Sequence, residues 1–236
     1  MEKEDKARLD DMRRRFLEVG IEALSPEETL ELLFSYASPR TDNRALSREL
    51  LAQYGSLQNL FSASLEMLKN GGLEESQALF LTLVGQVGRQ IFLEEMEVQP
   101  DAFADTANIG HYFMELVRGQ PHDTVYALCL NGGAFLSCVP LTDGDALLED
   151  TDIRRELIRR VAENALTSAA NGVALGRRIS GGLLVPSVTD RILIERVRAA
   201  LDTLRVNFRD YVLVTVNDFV SMSETGLMER PWEIGQ

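Results

Sequence analysis

Histidine and cysteine are scarce: the 236-residue chain holds two of each. His111 and His122 have no ligand-type residues at metal-binding spacing, so a histidine-rich metal site is excluded and surface or capping roles are expected, His111 at a helix start and His122 at a turn. Cys129 and Cys138 flank a Gly132-Gly133 turn and could face each other across a hairpin. Cys129, however, lies in an apolar strand pattern, so two buried reduced thiols are expected rather than a disulfide or half a metal site. No run of about 18 apolar residues occurs, which excludes a helical membrane span. Met1-Glu2-Lys3-Glu4-Asp5 lacks the apolar core of a secretory signal, so a cytoplasmic location is expected. Positive charge is in deficit, with 24 Lys and Arg against 37 Asp and Glu and a net charge of −13. The deficit holds for residues 1–97 and for the remainder, so neither half offers the electrostatic footprint of a nucleic-acid binder.

What is present is ordinary for a folded protein: 45% hydrophobic and 26% charged residues, with no low-complexity tract. The first part reads as helices. Residues 6–20 place Leu9, Met12, Phe16 and Val19 on one face and end at Gly20. Ser25-Pro26-Glu27-Glu28 has the form of a capping box with proline at N1, opening a helix whose apolar side is Leu30, Leu33 and Phe34. Further helices are expected over Asn43–Tyr54, Ser56–Phe61, Ser64–Lys69 and Glu75–Met96. Residues 1–97 are therefore expected to form an all-helical domain.

A polar link is expected over 98–105, and the period then changes. Ala107–Val117 reads as a helix, and Thr124–Leu130 and Ala134–Leu141 as strands joined by the Asn131-Gly132-Gly133 hairpin signal. Helices are expected over Thr151–Thr167 and Thr189–Leu204, and strands over Gly172–Leu175, Tyr211–Val216 and Phe219–Ser221. Gly176 to Gly182 reads as a glycine-rich turn between strand and helix, where α/β folds place binding sites. Residues 106–230 are expected to form the second domain of an α+β protein, with 231–236 as a tail.

Several of these stretches, in this order, resemble the RadC family. Arg14-Arg15-Phe16-Leu17, Gly20 to Ser25, Glu31-Leu32-Leu33 and Gly55-Ser56-Leu57 look like its helical region. Ala162 to Ala165, Ser180-Gly181, Pro186-Ser187, Asp190, Asp210 and Val220 to Leu227 look like its JAB/MPN domain. The resemblance implies a helix-hairpin-helix-like domain followed by a JAB/MPN, cytidine-deaminase-like α/β domain with a mixed sheet. It also implies a DNA-repair association and a zinc hydrolase site with two histidines in His-x-His spacing, an aspartate ligand, a glutamate base and a serine at the oxyanion.

Residue by residue, the implied site is incomplete. Anchored on Ser180-Gly181, the histidine positions fall on Gly176 and Arg178, and the spacer from Gly181 to Pro186 is one residue longer than the family pattern. Glycine has no donor and arginine is a fixed cation, so no zinc or other cofactor is expected. Ser187 and Asp190 match the serine and the third ligand, but Ser187-x-x-Asp190 after a proline is also a helix start, and capping is the preferred reading. Glu156 matches the glutamate of an Arg-Glu pair; a solvated helix position is its default. Arg177 and Arg178 beside three glycines could form an anion site, although pairing with acidic neighbours is preferred.

In the helix-hairpin-helix region, Gly71-Gly72-Leu73-Glu74-Glu75 puts Glu74 where the second glycine belongs and Glu75 after it, with Lys69 the nearby cation. Carboxylates there oppose phosphate, so nucleic acid is not the expected partner. Arg13-Arg14-Arg15 is surrounded by Asp10, Asp11 and Glu18, and Trp232 is read as either packed on the domain or an interface anchor. The leading expectation is a RadC-like protein without the metal site, acting as a binding or scaffold module for a protein partner. Two alternatives stand beside it: a zinc-dependent metallopeptidase of the JAB type and a DNA-binding, repair-associated protein.

Overall fold

A computed structural model describes residues 2–38, 42–118, 120, 122–142, 148–181 and 183–228, with side chains from residue 5. Trp232, the tail at 231–236 and Gly182 lie outside the described residues. The chain divides into two compact units, Met1–Gly88 and Arg89–Gln236.

The first unit is helical: α1 (Glu2–Val19), a 3-10 turn (Ile21–Ala23), α2 (Pro26–Ala37), α3 (Asn43–Tyr54), α4 (Leu57–Ser62), α5 (Leu65–Asn70) and the start of α6 (Glu75–Val98). Short polar side chains begin these helices by accepting from backbone amides that have no intrahelical partner. Ser25 and Glu28 form the expected capping box, and Asp42, Ser56 and Ser64 cap α3, α4 and α5. Leu30, Phe34, Leu50, Leu60, Leu68 and Leu81 meet in one core. The apolar face expected for α1 is only partly buried: Met12 is fully enclosed, while Phe16 and Val19 are 45% and 67% exposed. Ion pairs hold this helix instead, with Arg8 forked onto the buried Glu31 and Arg15 reaching Glu28 at 2.6 Å. The Arg15 guanidinium and the Ser25 amide hold the Glu28 carboxyl down at about 2.

In the second unit the remainder of α6 is followed by α7 (Thr106–Val117), β1 (Val125–Asn131), β2 (Ala134–Pro140), α8 (Thr151–Thr167), β3 (Gly172–Arg178), α9 (Val188–Thr203), β4 (Asn207–Val214) and β5 (Phe219–Ser221). The strands form one mixed sheet in the order β2-β1-β3-β4-β5, with only β3 and β4 parallel. Alternation along the strands divides the core into two layers. Leu128, Ala174, Val212 and Val214 pack with Ile109 and Phe113 of α7. Val173, Leu175, Tyr211 and Leu213 pack with Leu157 and Val161 of α8 and Leu193, Ile194 and Val197 of α9.

Three local features add to or depart from the expected pattern. Ala102 and Phe103, in the stretch read as a polar link, are buried in the α7 layer, and the Phe103 ring meets Tyr112 edge-on at 5.1 Å. The pairing of β3 with β4 shifts register after Val173, and the extra residue, Arg209, binds the carbonyls of Phe103, Ala104 and Gly132. Cys129 and Cys138 are free thiols in opposite core layers, one residue out of direct register, so they do not face each other. Cys129 is buried and Cys138 half-buried, and burial pushes both thiols up. Among the described residues no helix is long and apolar enough to cross a membrane.

Candidate functional site

The stretch read as a glycine-rich turn from Gly176 is still strand. Gly176 and Arg177 pair with Tyr126 and Val125 of β1 and with Val212 and Leu213 of β4, and Arg178 pairs with Val214. The Arg178 amide then donates to the Thr124 carbonyl and that of Ile179 to Val214. Pairing on both sides overrides the local turn preference of Gly-Arg-Arg, and it sends successive side chains to opposite faces of the sheet.

Gly176 points to the α7 layer, where the space beside its Cα is already filled. A Cβ placed there would lie 2.4 Å from carbon atoms of the Phe113 ring, well inside van der Waals contact. Arg178 shares the parity of Gly176. Its guanidinium binds Asp123 at 3.0 Å and the Ser180 hydroxyl at 3.0 Å, and Ser180 also donates to Asp123.

Arg177 turns the other way, to the start of α9. Ser187 is the N-cap of that helix, with an extended backbone at φ −70° and ψ 171°. The Asp190 amide donates to Ser187 Oγ at 3.1 Å, while the Ser187 amide donates to the Asp190 carboxylate at 2.8 Å. This is the reciprocal capping box that the Ser-x-x-Asp spacing predicts. The structure adds what the spacing does not show. Asp190 is 1% exposed and also accepts from the Ser187 hydroxyl at 2.6 Å, from Tyr211 Oη at 2.5 Å and from Arg177 Nη1 at 2.6 Å. Burial alone would raise its pKa, but the Ser187 and Tyr211 hydrogen bonds and the Arg177 charge outweigh burial and hold the carboxyl below its ordinary value. Burial and the Asp190 charge push the Tyr211 phenol up, so it stays a donor.

Zinc, which the resemblance implies, needs three donors converging on one point with a position left for water. Gly176 offers none, Arg178 is a cation, and both face away from Asp190, whose oxygens already have partners. The residues present do not fit the ion. Among the described residues no group of three or more His, Cys, Asp or Glu is placed to hold a metal. Nor do Arg177 and Arg178 converge on a common anion: each has its own aspartate on its own face. Glu156 lies on the exposed side of α8, paired with Arg159 at 2.5 Å, and that arginine holds its carboxyl below the usual range.

Asp210 is a second fully buried carboxylate, which sequence reasoning used only as a family match. It accepts from the Ser221 hydroxyl at 2.6 Å and the Ser223 amide at 2.9 Å, tying the chain after β5 to β4. The clue available in the sequence was an aspartate inside a strand pattern followed by the hydroxyl pair of Ser221-Met222-Ser223.

The turn between α5 and α6 uses its amides internally. Those of Gly71, Gly72 and Leu73 close on the carbonyls of Met67, Lys69 and Leu68, and that of Glu74 donates to the Gln77 side chain. Lys69 is paired with Glu75 at 3.4 Å. In the basic run of α1, Arg13, Arg14 and Arg15 each pair with an acidic side chain. His111 sits inside α7 rather than at its start, exposed and edge-on to Phe219 at 5.0 Å, and His122 is exposed before β1.

Comparison with known proteins places this geometry in a family. The family model described as RadC-like JAB domain matches residues 103–227, more than half of the chain. A UPF0758 protein of Fusobacterium nucleatum is 24% identical over 234 residues, covering 96% of this chain and 99% of that one. A UPF0758 protein of a Marinomonas species is 27% identical over 217 residues, with 92% and 95% covered. One from Pseudomonas fluorescens is 29% identical over 219 residues, with the same shares. The mixed sheet, the capped α9 and the buried Asp190 and Asp210 thus sit within a matched region, and the chain belongs to the RadC-like JAB domain family.

Proposed function

We propose that this chain is a non-catalytic member of its family, a cytoplasmic binding or scaffold module that acts through contact with a protein partner. The observation that carries the reading is the state of Asp190: its carboxylate is enclosed and bound by Arg177, Ser187 and Tyr211, leaving no oxygen directed at an open position. Phe113 in the space beside Gly176 supports it further. The paired Lys69 and the acidic Glu74-Glu75 turn favour protein over nucleic acid as partner, as does the net charge of −13. Half-exposed Leu79, Leu83 and Val87, spaced four apart along α6, are compatible with a macromolecular contact.

Metal analysis of the purified protein together with a peptidase and isopeptidase assay tests this reading. Zinc far below one equivalent and no turnover are the expected results. Stoichiometric zinc, with activity abolished by Ser187→Ala plus Asp190→Ala, would overturn it.

A further inference from the structure

Removing a carboxylate from water is costly unless an opposite charge and hydrogen bonds replace its hydration. Asp190 meets that requirement entirely from within the chain. Its Oδ1 receives Arg177 Nη1 at 2.6 Å and Tyr211 Oη at 2.5 Å, and its Oδ2 receives the Ser187 amide at 2.8 Å and hydroxyl at 2.6 Å. These partners come from β3, β4 and the start of α9, so one carboxylate joins two adjacent parallel strands to the helix that connects them. A bound cation at the same carboxylate would need the place that the guanidinium holds.

We propose that Arg177 is a tethered counter-ion, standing at Asp190 where a bound cation would otherwise stand and making this site independent of metal. Arginine suits the task because its charge is permanent, and one nitrogen of the guanidinium, Nη1, reaches Oδ1. The side chain is only 16% exposed, so the pair is shielded from salt. Tethering also removes concentration dependence: the stabilisation a metal gives grows with the logarithm of its free concentration, whereas Arg177 is always present at one equivalent.

The proposal deepens the non-catalytic reading at the same site, but its test reads thermal stability rather than turnover or partner capture, so either can fail alone. The melting temperature of the unmodified protein is expected to stay within about 1 °C after exhaustive chelation and after addition of excess zinc. Arg177→Met is expected to lower it by roughly 10 °C, the shift that loss of one partner of a buried pair produces in a chain of this size. Adding Asp190→Asn to that variant is expected to recover at least half of the fall, because the uncompensated charge is then gone. If Arg177→Met is too unstable to purify, chelation of the unmodified protein and the double variant decide. A fall in melting temperature on chelation, an Arg177→Met protein as stable as its parent, or a double variant no better than the single would each overturn the proposal.

Discussion

Asp190 and Asp210 are equally hidden, at 1% and 0% exposure, and both are bound by serine hydroxyls and backbone amides, yet their carboxyls are shifted in opposite directions. Burial is the first influence on each and raises both. At Asp210 the opposing contributions come from Ser221, Ser223 and the Tyr211 amide, all of them neutral, and the carboxyl stays above its ordinary value. At Asp190 the Tyr211 hydroxyl and the Arg177 charge are added and the sign reverses. Neutral donors can make a buried carboxylate tolerable; in this molecule the position with a guanidinium is the one that favours ionisation.

The largest expected effect comes from erasing that difference. Arg177→Met leaves Asp190 buried with neutral donors only, as Asp210 is, and should cost about 3–5 kcal/mol of unfolding free energy by chemical denaturation. The same variant should move the Asp190 carboxyl upward, readable by NMR titration of its side-chain carbon. An unchanged titration would show that the hydroxyls alone set its ionisation. Asp210→Asn is expected to be milder, about 1–3 kcal/mol, because the amide oxygen keeps one acceptor while its NH2 faces a donor.

The two carboxyls also pull stability in opposite directions with pH. The folded pKa of Asp190 lies below its unfolded value, so its contribution is present above the unfolded value near 3.8 and lost as pH falls through the folded one. The folded pKa of Asp210 lies above, so its contribution is full below the unfolded value and declines as pH rises through the folded one. Unfolding free energy measured from about pH 3 to 7 should therefore lose part of its acid-side fall in Arg177→Met/Asp190→Asn. In Asp210→Asn the loss on the rising side should vanish instead. Identical profiles for the two would remove the basis of the comparison. Ser187→Ala and Ser221→Ala each delete one hydroxyl and should cost about 1 kcal/mol. Glu156→Gln, at an exposed ion pair, should leave the melting curve unchanged.

Much of this was legible in the sequence where the cause is local. The Ser25–Glu28 and Ser187–Asp190 boxes depend on groups three residues apart, and the Asn131-Gly132-Gly133 turn carries its own signal, so both are readable without any tertiary contact. Family likeness likewise identified the helical region and the mixed sheet. The fate of the site depended on distance. Arg177 finds its aspartate 13 residues away on another element, and Phe113 reaches Gly176 from a helix more than 60 positions earlier. Gly176, Arg177 and Arg178 read as a turn because their propensities are those of a turn; strands β1 and β4, pairing from either side, make them strand. In α1 the helix is where its period predicts, but of Leu9, Met12, Phe16 and Val19 only Met12 is fully enclosed, and ion pairs from Arg8 and Arg15 tie the helix to α2.

The contact between Gly176 and Phe113 also constrains how this chain can change by single substitutions. An imidazole introduced at position 176 meets the aromatic ring before it meets any metal. Shrinking Phe113 first opens a void in a layer that is otherwise closed, at a cost of about 3–5 kcal/mol for a phenylalanine-to-alanine change. Each order of the two steps begins with a change that disturbs this packing, by a clash at 176 or a void at 113. The ring therefore acts as a steric lock: a single substitution that adds a donor at this position is opposed by packing, whatever its chemistry offers.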